Sequence, residues 1–438
     1  MHCVGSYFRP FWRSCHGQTN ICVEGDVRIN VICVILGGGQ GQRLWPLTRD
    51  RSKPAVPIAG KYRLVDIPIS NCIRSHLREI YLLTQFNSVS LHEHVQNTYK
   101  FDQFHRGFVR ILAAQQTPQS TAWYLGTADA VRQTFNYFLD TQPDLIVVLS
   151  GDQLYQMNYK EMIVQHLQKG ADVTISTKPV GREEAGDLGI MKVDEDLRIV
   201  DFVEKPGTGE ALNPLRAEMY EGERFLASMG IYVFSTKVLR ELLDNDWSDF
   251  GKDIIPSAIN RYDVYSSVYE GYWKDIGTIR SYWETNLSLT EPVPEFSFYD
   301  TDIQIYTNMR YLPPSKINKC DMDRCLLSEG CIVSAERINH SIVGIRAVVG
   351  EGTVVEDSVL IGADYYELNK TDDTQPSLGI GRGCVIKNAI VDKNCKVGDN
   401  CYISPEGKPD DVETETYTVR DGVIVIPKNS VIPAGTKI

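Results

Sequence analysis

A six-residue rhythm runs through the last part of the chain. Aliphatic residues recur at intervals of six in two runs, which are Ile342, Val348, Val354 and Leu360, and then Val385, Val391, Val397 and Ile403. Hexapeptide repeats form coils of three short strands that stack into a parallel β-helix, with an aliphatic side chain at each corner filling the core. We therefore predict a β-helix over residues 319–438, from which the polar segments 364–377 and 404–422 loop out.

The earlier part of the chain alternates apolar runs with helix-like segments. The runs rich in aliphatic residues are Val31–Leu36, Glu79–Thr84, Asp144–Asp152 and Ala171–Thr177. Such runs are typical of parallel strands covered by helices on both faces. Between two of them, Val131, Phe135 and Phe138 share one face of a predicted helix. Thr127 is its predicted N-cap. The alternation predicts a doubly wound, mostly parallel, Rossmann-like α/β sheet, in which ligands bind at the carboxyl ends of the strands.

The domain boundaries follow from these patterns. A chain of 438 residues is too long for one ordinary core, so two domains are expected. We place the α/β domain at residues 30–289, a linker at 290–318 and the β-helix at 319–438, because the segment from Thr290 to Lys316 holds four prolines and no helical period. Residues 1–29 lack the apolar centre of a secretory signal, and we expect a disordered or over-extended start there, with an organelle transit peptide as the alternative.

The composition limits which classes of binding partner and which cellular compartment are expected. Hydrophobic residues make up 42% of the chain and charged residues 23%, which is typical of a soluble globular protein. A net charge of −12 argues against nucleic acid as the main partner, because phosphate backbones attract basic surfaces. No apolar run approaches the ~20 residues that span a bilayer, so we expect no membrane partner. The eleven cysteines show no C-x-x-C pairing, which favours free thiols and a cytoplasmic location.

The first apolar run leads into a glycine-rich loop and a basic cluster. The loop contains Gly37, Gly38, Gly39, Gly41 and Arg43, and the cluster continues through Arg49, Arg51 and Lys53. The spacing fits neither the dinucleotide fingerprint nor the P-loop. Glycines let backbone N–H groups approach a phosphate chain, and a guanidinium grips its oxygens bidentately. In an acidic chain this cluster indicates a small anionic ligand; a tight turn with a solvent-facing arginine is the alternative.

The loop and the following Lys53-Pro54 pair resemble the signature of the sugar-1-phosphate nucleotidyltransferases. Further motifs, in the same order along the chain, resemble the glucose-1-phosphate adenylyltransferase family: SKPAVPIAGKYRLVDIPISNC, LAAQQT, WYLGTADAVRQ, SGDQLY, FVEKP, ASMGIYVF, DFGKDIIP, GYWKDIGTI and RYLPPSK. The resemblance covers the chain from about Val31 to its end. It implies that ATP and glucose 1-phosphate are joined into ADP-glucose and pyrophosphate with Mg²⁺, for glycogen or starch synthesis. It also implies a left-handed β-helix and a homotetramer.

The resemblance assigns residues to roles. The catalytic group would be Arg43, Lys53, Asp152 and Asp275, with the two cations on the triphosphate and the two aspartates as Mg²⁺ ligands. ATP would be bound by Gly37, Gly38, Gly39, Gly41, Gln115 and Gly126. Glucose 1-phosphate would be bound by Tyr124, Gly189, Glu204, Lys205 and Ser228, with Lys205 on the phosphate group and Glu204 on a sugar hydroxyl. Taken without the resemblance, the aspartates could be turn formers, Lys205 a solvated charge, and Tyr124 and Ser228 packing residues.

Regulation by phosphorylated metabolites is a further implication. Enteric-type members carry a lysine directly before the arginine of the loop, whereas here Asp50 precedes Arg51. The stretches IVDKNCKVGDN and VIVIPKNSVIPAG instead resemble plant and cyanobacterial members, which respond to 3-phosphoglycerate and inorganic phosphate. Matching them places Lys393 and Lys428 at an allosteric site, with Arg51 and Arg63 facing them. The alternative is that these two lysines are solvated residues of the β-helix.

Other functions stay open at this stage. Enzymes that use UTP, dTTP or GTP share the glycine loop, and a regulatory homologue could keep the fold without turnover. Hexapeptide proteins that transfer acetyl groups need a histidine between coils, and His340 is the only histidine in this region. The presence of Arg43, Lys53, Asp152, Lys205 and Asp275 favours an active nucleotidyltransferase. The sequence leaves open whether the chain forms a homotetramer or pairs with a related subunit.

Overall fold

An α/β unit is followed by a β-helix in the computed structural model of this chain, so the predicted fold class is confirmed. The structure describes residues 20–23, 27–102, 107–115, 123–367 and 374–438. The strands of the α/β unit are β1 (Asn20–Val23), β2 (Val27–Gly37), β3 (Pro57–Ile58), β4 (Tyr62–Arg63), β5 (Glu79–Thr84), β6 (Phe108–Ala113), β7 (Leu145–Ser150), β8 (Gln153–Tyr155), β9 (Val173–Val180), β10 (Gly189–Val193), β11 (Ile199–Glu204), β12 (Phe225–Ser235), β13 (Val264–Val268) and β14 (Trp273–Asp275). Its helices are α1 (Asp66–Arg74), α2 (Val89–Thr98), α3 (Thr127–Leu139), α4 (Tyr159–Lys169), α5 (Arg182–Ala185), α6 (Thr236–Leu242), α7 (Ile255–Ile259) and α8 (Ile279–Ser288). Short 3-10 helices lie at Gln42–Leu44, Lys53–Ala55 and Glu210–Leu215, and a π-helical turn lies at Phe250–Ile254.

The central sheet has the strand order β11-β10-β12-β7-β2-β5-β6. Strands β7, β2, β5 and β6 are parallel to one another, and β12 runs antiparallel to β7. Alternate residues of β2 enter two separate cores: Val31, Cys33 and Ile35 on one face, Ile32 and Val34 on the other. All five are inaccessible to solvent, as expected for a strand with helices on both sides.

Helix α3 forms where the apolar spacing predicts a helix, but its cap differs from the prediction. The helix begins at Thr127 itself, and Gly126 occupies the N-cap position without a side-chain cap. The Thr127 hydroxyl instead accepts a hydrogen bond from the Phe250 N–H at 3.1 Å. A side chain at position 126 would lie 2.3 Å from the Ser248 carbonyl oxygen, so the close approach of this loop requires glycine at the cap.

The β-helix follows from stacked short strands. They are β15 (Lys316–Ile317), β16 (Asp321–Leu327), β17 (Ile332–Val333), β18 (Arg337–Val343), β19 (Val348–Val349), β20 (Val354–Glu356), β21 (Val359–Leu360), β22 (Gly379–Ile380), β23 (Val385–Lys387), β24 (Ala389–Val391), β25 (Lys396–Val397), β26 (Tyr402–Ile403), β27 (Val412–Glu413), β28 (Thr418–Arg420), β29 (Val423–Ile426) and β30 (Val431–Ile432). One face of the coils is the parallel ladder β15-β17-β19-β22-β25-β30. Its successive strands come from successive coils, which is the arrangement that the six-residue spacing predicts.

The predicted corner residues are partly out of phase with the core. Leu360, Val391, Val397 and Ile403 are buried in the β-helix core, and Ile342 is buried against the α/β unit. Val348, Val354 and Val385 are only half-buried. At those three positions the next residue fills the interior, namely Val349, Val355 and Ile386. Each case is a pair of adjacent aliphatic residues, and in a strand the two members point to opposite faces. A spacing of six alone does not identify which member points inward.

The second polar insert is more ordered than a plain loop. Strands β27 and β28 pair as an antiparallel hairpin, and β28 pairs antiparallel with β29. The hairpin therefore extends the sheet of the β-helix. The first insert contains no strand in residues 364–367 and 374–377, and the rest of it lies outside the described residues.

Helix α8 joins the two units through a continuous apolar core. Its residues Ile279 and Tyr282 belong to the same buried cluster as Ile342, Ile390 and Val425 of the β-helix. The segment that follows α8 contains no helix or strand before β15. Within it, Phe298 stacks on Tyr62 at 4.3 Å between ring centroids. In the described ranges, no helix has the length and apolar character needed to cross a bilayer.

Candidate active site

The carboxyl ends of β2 and β7 lie side by side, because Leu36 pairs with Ser150. The glycine loop leaves β2 at this edge. Gly41 has φ 65° and leaves no room for a Cβ, which would lie 2.8 Å from a carbon of Thr48. Gly39, in contrast, has no atom within 4 Å of its Cβ position, so the backbone there is open to a ligand. The loop combines one strained turn with an accessible backbone, as a phosphate-binding loop requires.

The two predicted metal ligands meet at the same edge. Strands β8 and β14 pair antiparallel, so that Asp275 lies opposite Gln153. The Ile276 N–H donates to the Asp152 carbonyl oxygen at 3.3 Å. Asp152, directly before β8, and Asp275, at the end of β14, are therefore neighbours, although they are far apart in sequence.

Two cations accompany these aspartates. The Lys53 ammonium forms an ion pair with the Asp152 carboxylate. Arg43 lies beside Asp275: a Cβ placed on Gly277 would be 2.7 Å from Asp275 Oδ2 and 3.3 Å from a guanidinium nitrogen of Arg43. The structure thus brings all four predicted catalytic residues together.

Within this group the charged forms of Lys53 and Asp152 are stabilised, whereas the charged form of Asp275 is not. Burial opposes the charged form of Lys53, but Asp152 and Asp275 outweigh it and raise its pKa. Burial likewise disfavours the Asp152 carboxylate, yet Lys53 holds the pKa of Asp152 below its ordinary value. The pKa of Asp275 is raised by burial and by the neighbouring charge of Asp152. A cation bound at Asp275 would therefore offset a repulsion that the protein leaves in place.

The donor set fits Mg²⁺. Carboxylate oxygens are hard ligands, and Mg²⁺ is commonly held by one or two carboxylates together with substrate phosphates and water. In the part of the chain that the structure describes, no group of three or more histidine, cysteine, aspartate or glutamate side chains is arranged to enclose a metal ion. Asp152 and Asp275 would hold Mg²⁺ only as part of a complex with phosphate oxygens.

A cleft of about 530 Å³ opens beside this edge of the sheet. Its lining includes four predicted sugar-site residues and two predicted catalytic residues, namely Gly189, Glu204, Lys205, Ser228, Arg43 and Asp275. Gly189 pairs with Glu204 across β10 and β11, and a side chain at position 189 would meet the Glu204 carboxylate at 2.7 Å. Burial raises the pKa of Glu204. Predicted sugar-site residues and two of the predicted catalytic residues therefore face one cleft.

Lys205 is held in an unusual backbone conformation at the cleft. Its φ of 51° lies in the left-handed region, which is uncommon for a residue with a side chain. The Lys205 N–H donates to the Leu188 carbonyl oxygen at 3.1 Å. Its ammonium lies close enough to Asp275 to lower the pKa of that carboxyl, against the larger effect of burial. Strained backbone at a ligand cleft favours a functional role for the side chain.

The remaining predicted substrate residues lie outside the lining of this cleft. Tyr124 lies beside the glycine loop, where a Cβ on Gly38 would be 3.7 Å from its ring. Gln115, just beyond β6, accepts a hydrogen bond from the Tyr137 hydroxyl at 3.3 Å. Gly126 is fixed by its contact with the Ser248 loop. The roles of Tyr124, Gln115 and Gly126 stay predictions.

Sequence reasoning missed several residues of the cleft. Tyr232, Asp249 and Trp273 line it. Asp249 Oδ1 accepts the N–H groups of Gly251 at 2.9 Å and Lys252 at 3.1 Å, so it caps the π-helical turn. Locally such an aspartate is a helix cap, and such aromatic residues are core residues. Only their membership of the matching motifs could have indicated the cleft.

Two family models match the chain. The model described as nucleotidyl transferase matches residues 32–292, and the model described as the GLGC left-handed parallel beta-helix domain matches residues 310–437. The chain belongs to the nucleotidyl transferase family. A nucleotidyl transferase domain followed by this β-helix domain is the architecture of glucose-1-phosphate adenylyltransferase, so the predicted resemblance is confirmed at that level.

The basic segment of this nucleotidyl transferase reaches the β-helix. Arg51, predicted as an effector ligand, donates bidentately to the Asp392 carboxylate at 2.9 Å for both bonds. The side chains of Arg51 and Asp392 are 4% and 1% exposed, so this ion pair is buried between the domains. Arg51 is thereby engaged in a domain contact, and its effector role stays a prediction.

The other predicted effector residues surround one carboxylate. Asp364 accepts from Lys393 Nζ at 2.6 Å and pairs with Lys428 Nζ at 3.0 Å. Burial lowers the pKa of Lys393 to about 8, with Arg63 and Arg310 adding repulsion. Burial also lowers the pKa of Arg63 to about 10. Within the described ranges, Arg63 Nε is buried without a hydrogen-bond partner. The structure adds Arg310, which the prediction did not include, and the carboxylate of Asp66, whose charge favours the protonated forms of Arg63 and Arg310.

His340, the residue an acetyl transferase would need, is engaged elsewhere. Its Nδ1 lies 2.6 Å from Asp357 Oδ1, and its Nε2 lies 3.3 Å from Glu291 Oε1. Both ring nitrogens therefore face carboxylates close to the contact between the two domains.

Proposed function

We propose that this nucleotidyl transferase transfers the adenylyl group of ATP to glucose 1-phosphate, giving ADP-glucose and pyrophosphate. The observation that carries the proposal is the group formed by Arg43, Lys53, Asp152 and Asp275 at the edge of a cleft that Lys205 also lines. It joins cations for phosphate groups to carboxylates for a divalent metal. A non-catalytic homologue would have no need to retain this combination.

The chemistry is an in-line substitution at the α-phosphorus of ATP. A phosphate oxygen of glucose 1-phosphate forms a new bond to the α-phosphorus. The bond between the α-phosphorus and the oxygen that bridges to the β-phosphorus breaks, and this oxygen leaves as part of pyrophosphate. The attacking phosphate is already anionic near neutral pH, because the second pKa of a phosphate monoester is about 6. No general base is needed, so the protein acts by positioning its substrates and neutralising charge.

Each side chain has a part in this scheme. Arg43 and Lys53 neutralise the triphosphate and the departing pyrophosphate. Lys205 binds the phosphate of glucose 1-phosphate, and Glu204 accepts a hydrogen bond from a sugar hydroxyl. Mg²⁺, when held by Asp152 and Asp275, would supply further charge neutralisation. Gly189 and Ser228 complete the sugar side, and Tyr124 is assigned to it as well. Gln115 and Gly126 are assigned to the adenine and ribose.

The nucleotide base and the acceptor are tested together. Purified protein is assayed with ATP, UTP, dTTP and GTP, each with glucose 1-phosphate and Mg²⁺, and pyrophosphate release is measured. We expect turnover with ATP to exceed the others. Turnover with UTP or dTTP at least equal to that with ATP would assign the chain to another base, and no turnover with any nucleotide would favour a regulatory homologue.

We also infer an allosteric site for a small phosphorylated metabolite at the junction of the domains. Arg63, Arg310, Lys393 and Lys428 gather around the carboxylates of Asp66 and Asp364, which do not offset the effect of burial on the pKa values of Lys393 and Arg63. A trianion such as 3-phosphoglycerate would supply the missing negative charge, and inorganic phosphate would compete for it. Stronger activation by fructose 1,6-bisphosphate than by 3-phosphoglycerate would contradict this choice of effector. We further propose a cytoplasmic homotetramer, to be checked by light scattering of the purified chain.

A further inference from the structure

The segment between the two phosphate-binding cations is attached to the β-helix at three points. Trp45 Nε1 donates to Glu413 Oε1 at 3.0 Å, and the Arg49 guanidinium donates to the Lys428 carbonyl oxygen at 2.6 Å. The third contact is the buried ion pair of Arg51 described above. The segment that separates Arg43 from Lys53 is thus a docking segment, which accounts for the nine residues between these cations.

Trp45 adjoins the part of this segment that carries Arg43, beside the fully buried Leu44. Arg43 lies in the 3-10 helix Gln42–Leu44, and Trp45 is the residue that caps its end, donating its N–H to the Gln42 carbonyl oxygen at 3.1 Å. A single 3-10 turn has poor hydrogen-bond geometry and little stability of its own. Its orientation therefore depends on contacts from outside, and the indole N–H of Trp45 makes such a contact.

The partner of Trp45 belongs to the hairpin β27–β28, whose Val419 packs into the core of the β-helix. Glu413 is also bonded by Arg420 at 3.3 Å, and Arg420 in turn pairs with Asp411 at 2.6 Å. On the other side of the hairpin, Arg280 of the cleft lining donates to the Asp421 carbonyl oxygen at 3.2 Å. The hairpin and the turn that follows it thus contact the α/β unit at two residues, Trp45 and Arg280.

A second cleft, of about 460 Å³, lies between the hairpin and the loop. Its lining consists of Gln40, Gln42, Trp45, Thr48, Phe86, Asn87 and Arg420. Without the bond between Trp45 and Glu413, this space would allow the loop to move away from the first cleft. We propose that Glu413 is a positioning residue for the nucleotide: through Trp45 it holds the glycine loop, and Arg43 with it, in the orientation that grips a triphosphate.

This inference rests on the proposed function, because it assumes that the loop binds a nucleoside triphosphate. The test uses the full chain and measures the dissociation constant of ATP with Mg²⁺ by calorimetry, together with the KM values of ATP and glucose 1-phosphate. Glu413→Ala removes the acceptor, and Trp45→Phe keeps a ring while removing the N–H. We expect each to weaken ATP binding roughly three- to tenfold, the range of one lost hydrogen bond. The KM for glucose 1-phosphate should change less than about twofold if these residues act only on the loop.

Three further variants separate positioning from general stability. The double variant should be no weaker than either single variant, because both remove the same bond. Glu413→Gln keeps an acceptor oxygen and should restore most of the affinity. Glu415 lies exposed on the same hairpin, and Glu415→Ala should match the unsubstituted chain.

The inference is overturned if ATP affinity is unchanged in Glu413→Ala or in Trp45→Phe. Equal loss for both substrates, with a lower midpoint of thermal unfolding, would also overturn it, because that pattern indicates a structural role alone. These results differ from failure of the proposed function, in which the unsubstituted chain binds ATP but turns over no nucleotide or prefers another one. Absence of any triphosphate binding by the unsubstituted chain would overturn both.

Discussion

Two buried charge clusters in this chain have opposite balances. At the catalytic edge, Lys53 and Asp152 stabilise each other's charged forms, since the pKa of the lysine is raised and that of the aspartate is lowered. At the domain junction, burial and neighbouring cations lower the pKa of Lys393 to about 8 and that of Arg63 to about 10. The first cluster is nearly neutral before any ligand arrives, whereas in the second burial and like charges outweigh the carboxylates of Asp66 and Asp364.

The difference indicates two kinds of ligand dependence. A neutral, preorganised group costs little to keep assembled, and it acts when charge develops in a transition state. A cluster of like charges is costly to bury, and an anion that binds there lowers that cost. The junction cluster is therefore suited to sensing an anion, and the catalytic group to using one. Each prediction below separates the two clusters by a different measurement.

The largest effect should come from Asp152→Asn. Removing the carboxylate charge leaves Lys53 without its partner and the metal with one fewer charged ligand. We expect the turnover rate to fall at least about a hundredfold with little change in substrate affinity, because the loss falls on the transition state. Steady-state kinetics with both substrates measures this. Asp246→Asn, at an exposed site, is the matched control. A turnover rate close to that of the unsubstituted chain would remove Asp152 from the catalytic group.

Lys205→Ala should raise the KM for one substrate, glucose 1-phosphate, much more than the KM for the other, ATP. A lost charge-assisted phosphate contact weakens binding roughly 30- to 150-fold, so the KM for glucose 1-phosphate should rise by that factor. The KM for ATP should change far less. Lys192→Ala, at an exposed position of β10, serves as the control. Equal increases in the two KM values would contradict the assignment.

Local patterns predicted what depends on neighbours in sequence, and missed what depends on distant contacts. The burial of β2 on both faces followed from six consecutive apolar residues, and the glycine loop from its spacing. Arg310 lies in the matched motif RYLPPSK, but nothing near it or near Asp364 indicated a role in the junction cluster, because that cluster is formed by residues far apart along the chain. Arg51 was identified as a cation near the effector region, but its buried partner Asp392 is 341 residues away. No pattern near Trp45 pointed to Glu413.

Lys393→Ala should affect the junction cluster alone. We expect the half-activating concentration of 3-phosphoglycerate to rise roughly 10- to 100-fold, since one charge-assisted contact is lost. The KM values measured without effector should stay within about twofold, because Lys393 lies outside the cleft. Lys396→Ala is a close control, since Lys396 also pairs with a carboxylate of the first insert, that of Glu367, at 2.6 Å. Activation untouched in Lys393→Ala would place the effector elsewhere.

The smallest and most specific effect concerns pH: effector affinity at the junction should change with pH, whereas the turnover rate at the catalytic group should not. Anion binding at the junction needs Lys393 protonated, so the half-activating concentration of 3-phosphoglycerate should rise as pH increases through about 8. The expected rise between pH 7 and pH 9 is roughly three- to tenfold, limited by the charge of one of several cations that face Asp364. Lys53 has a raised pKa and keeps its charge over this range, so the turnover rate without effector should hardly change.

The stability of the folded chain should rise with pH while the affinity for the effector falls. The folded chain, whose Lys393 pKa is lowered, binds fewer protons than the unfolded chain between about pH 8 and the ordinary lysine value, so the free energy of unfolding rises with pH there. Effector affinity falling while stability rises, and both slopes disappearing in Lys393→Ala, would identify this lysine as the group that titrates. Slopes that survive the substitution would assign them to another group.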